Sequence, residues 1–150
     1  MTPAVDAARR AGIEYRLYEY EGVDVADGDY AVAVANALDR PPAQLFKTLV
    51  ASVDGVLSVF LVPADRQLDL RAAGKRTTLA DRAQAERATG YVVGGISPLG
   101  QRRRLPTTVD ASALEWETML VSAGRRGLQI ELAPADLVRL TDACVAAVAR

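Results

Sequence analysis

The chain has 150 residues, half of them hydrophobic and a quarter charged, with a net charge of −1. That suits one soluble domain, residues 1–150, with a real core. It excludes a disordered chain and a global positive field for polyanions, so any nucleic-acid contact has to use local patches. There is no histidine and a single cysteine. Ser-His and Cys-His catalysis, zinc cages and intramolecular disulfides are thereby excluded.

Thr2-Pro3 reads as an N-cap followed by proline at the first helical position, with a helix to about Arg10 and Gly12 as its stop. Ile13 to Tyr20 alternates like a strand. Residues 21–28 read as a loop, and Asp29 as the cap of a helix through Leu38. Pro41-Pro42 starts a short turn. Phe46 to Val53 and Val56 to Val62 are β-rich runs joined by Asp54-Gly55, the type I′ hairpin signature. Short helices are expected over Leu68 to Gly74 and Asp81 to Thr89, the second with Asp81 as cap and Gly90 as stop. Further strands are expected at Leu105 to Val109, Thr118 to Val121 and Leu128 to Leu132. Pro134 opens a terminal helix in which Leu137, Leu140, Cys144, Val145 and Val148 would form one apolar face. The irregular order of strands and helices favours an α/β fold of α+β character, a curved mixed sheet with peripheral helices.

No apolar run approaches the length of a membrane span, and the N-terminus lacks a leader pattern. A cytoplasmic location without a membrane partner is expected, and no metal or organic cofactor is suggested.

Four features could carry chemistry. The stretch Gly94-Gly95-Ile96-Ser97-Pro98-Leu99-Gly100 allows close backbone approach, and its N–H groups could face an anion or an oxyanion; it could equally be a tight loop. Lys47 interrupts an apolar strand, either as a solvated residue or as a cation aimed into a pocket. Tyr18 and Tyr20 share one strand face and could be half-buried or stack on a base. Arg102, Arg103 and Arg104 could be a solvated face or a phosphate-binding cluster, as could Arg125-Arg126 and the group Arg71, Lys75, Arg76. Cys144 reads as a core thiol.

These residues, in this order, resemble the YbaK/EbsC family, relatives of the editing domain of prolyl-tRNA synthetases. The matching pieces are Met1 to Val5, Tyr20-Glu21, Phe46-Lys47-Thr48-Leu49, Gln67 to Leu70, Thr89 to Pro106, Val121-Ser122, Arg126-Gly127-Leu128 and Ile130-Glu131-Leu132. The resemblance implies a hydrolase that removes the amino acid from the 3′ end of a mischarged aminoacyl-tRNA, foremost Cys-tRNA(Pro), with the substrate's own thiol as nucleophile. It assigns Lys47 to the 3′-terminal nucleotide or the carbonyl, and Gly94 and Gly95 to the oxyanion. It places Tyr20, Thr48, Ser97, Ser122 and Gln129 around the substrate. It also implies weak docking to prolyl-tRNA synthetase. Gly22 replaces a common histidine of the family, and Gln129 replaces a carboxylate often found in Cys-specific relatives. Deacylation of Ala-tRNA(Pro), and a non-catalytic module that binds tRNA or the synthetase, are the alternatives.

Overall fold

The computed structural model describes residues 1–24 and 29–150. Helix α1, Pro3–Ala11, starts as its sequence dictates. Thr2 accepts a hydrogen bond from the Val5 N–H, and Gly12 closes the helix in the left-handed conformation. Its buried face is Ala4, Val5 and Ala8. Strand β1 follows at Tyr15–Glu19 and helix α2 at Tyr30–Ala37. Asp29 stands at the start of α2 but makes no side-chain capping bond. The expected loop over 21–28 lies partly outside the described residues.

Strands β2, Phe46–Val53, and β3, Val56–Pro63, form the expected hairpin. Asp54 and Gly55 both have positive φ, +49° and +85°, as a type I′ turn requires. Helix α3 is a single turn, Leu70–Ala73, capped by Asp69. The three-residue strand β4, Thr77–Leu79, was not expected; it lies against Ala51 to Val53 of β2. Helix α4, Arg82–Thr89, has Asp81 as cap and Gly90 as stop. Strands β5, Thr107–Asp110, β6, Met119–Ser122, and β7, Leu128–Leu132, precede helix α5, Pro134–Thr141.

The terminal helix is shorter than its apolar spacing suggests. Asp142 turns left-handed after Thr141, and the chain then extends as β8, Cys144–Ala146, parallel to β5. Buried Asp110 holds this tail. Its Oδ1 accepts from the Val148 and Ala149 N–H groups, both at 2.9 Å. Burial alone would raise the Asp110 carboxyl; the donors of Ser112, Val148 and Ala149 outweigh it and bring the group below its usual value. Cys144 is consequently exposed on an edge strand, not a core thiol.

The strands form two sheets rather than one. An antiparallel sheet has the order β1-β7-β6, and a mixed sheet the order β4-β2-β3-β5-β8. They touch through a parallel bridge from Leu45 to Leu120. The main core lies between them, with Phe46, Val59 and Leu61 meeting Met119, Ile130 and Leu132. Burying each such side chain is worth roughly 1.5–3 kcal/mol. Among the described residues no helix is long and apolar enough to cross a membrane.

Candidate active site

The site begins where the two sheets part. Along β2, successive residues turn their backbone groups to opposite edges. The Leu45 carbonyl accepts from the Ala64 N–H on the β3 side, and the Val50 carbonyl from the Ala80 N–H on the β4 side. Even-numbered residues of β2 therefore address the edge away from β3. β4 covers that edge only from Ala51 onward, and β6 meets it only at the Leu45–Leu120 bridge. Thr48 falls between, so its N–H and C=O face a stretch of edge that is unpaired among the described residues.

A cavity of about 430 Å³ opens along this stretch, a volume ordinary for small-molecule sites. Lys47, Thr48, Gly94, Ser122 and Gln129 all line it. Five of the residues singled out in the sequence thus come together. Asp29 and Tyr30, from the start of α2, and Arg82, from the start of α4, line it as well. Sequence reasoning gave these three no role beyond a helix cap, because nothing in their local pattern separates them from ordinary helix-start residues.

The lining is chemically specific. Lys47 makes no hydrogen bond or ion pair among the described residues. Burial holds its ammonium below the usual lysine range, partly offset by the charges of Asp29 and Asp65. Thr48 Oγ1 and Gln129 Oε1 are buried without a hydrogen-bond partner among the described residues. Leaving such an atom unsatisfied costs about 1–3 kcal/mol, which a ligand bringing donors would recover. Ser122 Oγ accepts from the Gly124 N–H at 3.2 Å. The Tyr30 hydroxyl meets that of Tyr20 at 3.0 Å, and burial together with this contact raises the Tyr30 pKa. Tyr20 therefore stands behind the wall, holding Tyr30.

The two glycines of the loop have different surroundings. Gly94, at φ +91°, borders the cavity, and its N–H has no partner among the described residues. The Gly95 N–H is already committed to the Val92 carbonyl at 2.9 Å, so Gly95 does not offer a free donor. Gly95 serves packing instead: a Cβ there would lie 2.7 Å from the Arg125 backbone. Ser97 is fully buried and accepts from the Leu99 N–H at 3.2 Å, holding the turn rather than facing the cavity.

Arg102, Arg103 and Arg104 lie elsewhere. The Arg102 and Arg103 N–H groups donate to the Thr89 and Ala88 carbonyls at the far end of α4. Roughly 10 Å of helix, at about 1.5 Å per residue, separates them from Arg82 at the cavity. The three arginines line a second hollow of about 320 Å³ with Leu140 and Thr141. Their side chains make no ion pair among the described residues.

The sequence profile of the aminoacyl-tRNA editing domain matches residues 26–140. The chain belongs to this editing family. EbsC of Enterococcus faecalis, described as a candidate Cys-tRNA(Pro)/Cys-tRNA(Cys) deacylase, is 32% identical over 94% of this chain and 88% of its own length. A crystal structure described as a candidate trans-editing enzyme for prolyl-tRNA synthetase superposes with a TM-score of 0.79 at 25% identity, covering 100% of this chain and 99% of that one. A structure described only as a hypothetical protein superposes at 0.87 with 25% identity and 99% coverage of both chains. Editing-family members are aminoacyl-tRNA deacylases.

Proposed function

We propose that the cavity takes the aminoacylated 3′ end of tRNA and clears cysteine from Cys-tRNA(Pro), using the substrate's thiol as nucleophile. The observation that carries this reading is a largely apolar cavity with a few polar groups, Lys47, Thr48, Ser122 and Gln129 among them, and no evident protein nucleophile among the described residues. The chain has no histidine. Its one cysteine is exposed on β8 and does not line the cavity. The Ser122 hydroxyl is engaged by Gly124, and among the described residues no side-chain base is hydrogen-bonded to it or to Thr48.

A cysteinyl ester brings its own nucleophile. The thiol gives up its proton, sulfur bonds to the ester carbonyl carbon, and the bond from that carbon to the ribose oxygen breaks. The ribose oxygen takes the proton, and water opens the resulting thiolactone to free cysteine. The protein's part is to orient the attack and stabilise the charge on the carbonyl oxygen. The Gly94 N–H is the donor for that oxygen. Lys47 holds the terminal nucleotide or the carbonyl region, and Thr48 and Gln129 take the donors of the aminoacyl group. Tyr20 acts through Tyr30 on the adenosine side. Arg102 to Arg104 would meet backbone phosphates further along the acceptor strand. Similarity to the trans-editing structure supports docking to prolyl-tRNA synthetase, in the cytoplasm where tRNA is charged.

The test is single-turnover deacylation of Cys-, Ser- and Ala-tRNA(Pro). Cysteine release is expected to be about 100-fold or more faster than release of either other residue. Comparable alanine release overturns the thiol's role, and no acceleration on any of the three overturns the catalytic reading.

A further inference from the structure

Val93 precedes Gly94, and both of its backbone polar groups are held by charged side chains. Its N–H donates to Glu86 Oε2 at 2.8 Å, from α4. Its carbonyl accepts from Arg126 Nε at 2.9 Å, from the turn between β6 and β7. Arg82 Nε adds a bond to the same Glu86 oxygen at 3.3 Å. The Val93 N–H, with Arg82 second, keeps the Glu86 carboxyl ionised below its usual range.

The consequence lies in the peptide plane. A trans peptide is rigid, and its C=O and N–H point in opposite directions. The Val93 carbonyl and the Gly94 N–H belong to one such plane. Arg126, by gripping the carbonyl, fixes the direction of the Gly94 N–H on the other side. A cationic donor on the carbonyl also polarises the peptide, making its N–H a stronger donor. Glu86 fixes the preceding plane in the same way. Behind them, Gly95 packs closely against the Arg125 and Arg126 backbone, so the loop sits directly on the turn that carries the clamp.

The geometry points to Glu86 and Arg126 as a two-sided clamp that orients the Gly94 amide toward the reacting carbonyl oxygen. They are positioning residues, on two elements that the glycine loop bridges. The inference rests on the deacylase reading of the cavity.

The experiment combines single-turnover deacylation of Cys-tRNA(Pro) with backbone amide NMR of the free protein. Arg126→Met and Glu86→Ala are expected to lower the rate constant at saturation about tenfold, with KM within twofold. That is a milder loss than deleting an oxyanion donor outright, which costs about 10²–10³. Arg126→Lys and Glu86→Gln, which keep a donor and an acceptor, should recover most of the loss. In the spectra, the Gly94 amide proton should move upfield in Arg126→Met, and the Val93 amide should exchange faster in Glu86→Ala. An active wild type with unchanged saturating rates in both disruptive variants overturns the clamp. So do unmoved Val93 and Gly94 amides. An inactive wild type overturns the deacylase reading instead, and the two failures are thereby told apart.

Discussion

Arg40 and Glu131 join α2's trailing loop to β7 through a two-pronged ion pair. Nη1 lies 2.7 Å from Oε2 and Nη2 3.1 Å from Oε1. The Tyr18 and Thr118 hydroxyls complete the carboxylate's bonds at 2.7 and 2.6 Å, and the guanidinium lies 5.1 Å from the centre of the Tyr18 ring. The Arg40 and Glu131 side chains are only 25% and 12% exposed, so this pair is not one of the solvent-screened kind that contributes little.

Glu131→Gln is expected to cost on the order of 2 kcal/mol, since it leaves a charged donor short of its acceptor. The pH dependence follows from Arg40, which together with the two hydroxyls pulls the Glu131 pKa down to about 2. A depressed carboxyl stabilises the fold fully above its unfolded value, about 4.3, and loses that contribution as pH falls through about 2. Urea unfolding of the wild type should lose this increment between those limits, and Glu131→Gln should lack it.

Lys47→Ala should lower kcat/KM for Cys-tRNA(Pro) at least about 100-fold, the scale of losing one electrostatic stabiliser. Its stability should change by less than about 1 kcal/mol, because Lys47 has no hydrogen bond or ion pair to lose among the described residues and its charge is penalised by burial. Deacylation kinetics and urea midpoints check the two halves separately.

Cys144→Ser should keep deacylation within about twofold, as surface changes away from a site usually do. In the wild type, a thiol reagent should label Cys144 in the folded protein, and the labelled protein should stay active. Loss of activity on labelling would show that β8 communicates with the cavity.

Gly95→Ala should destabilise the fold by about 1–3 kcal/mol, the usual cost of overpacking. The added Cβ meets Arg125 backbone atoms at 2.7 Å, which no rotamer change can relieve. Gly22→Ala is the contrast for space. Gly22 has a positive φ, +77°, as Gly95 does not, and among the described residues a Cβ at Gly22 meets nothing within 4 Å, so only the conformational term should appear there. Thermal or urea unfolding of the two variants separates collision from backbone strain.

Where local chemistry decides structure, the sequence was readable. Thr2 and Gly12 bound α1, Asp81 and Gly90 bound α4, and Asp54-Gly55 closes its hairpin, each through a residue's own hydrogen bond or φ preference. The terminal helix was misread because the spacing of Cys144, Val145 and Val148 suits a helix, while Asp142 and the bonds from Asp110 draw the chain into a strand. β4 escaped notice because three residues carry no period; the register of β2 makes it a strand. Lys47, Thr48, Ser122 and Gln129, which line the cavity, were singled out through their motifs. Glu86 was not, and Arg126 was named only within a basic pair and a motif, because both reach Val93 across separations of 7 and 33 residues that only the fold closes. The arginine triplet was correctly seen as basic, but its distance from the cavity is set by the length of α4, which motif order does not encode.

The parted strands have a consequence for how such a protein can change over generations. On the proposed reading the Gly94 donor is main chain, as is the open edge at Thr48 among the described residues, so exchanging a side chain leaves both in place. The walls are side chains, among them Gln129. On that reading, mutation of the walls would alter which aminoacyl group is accepted while the main-chain groups that serve the reaction are inherited intact.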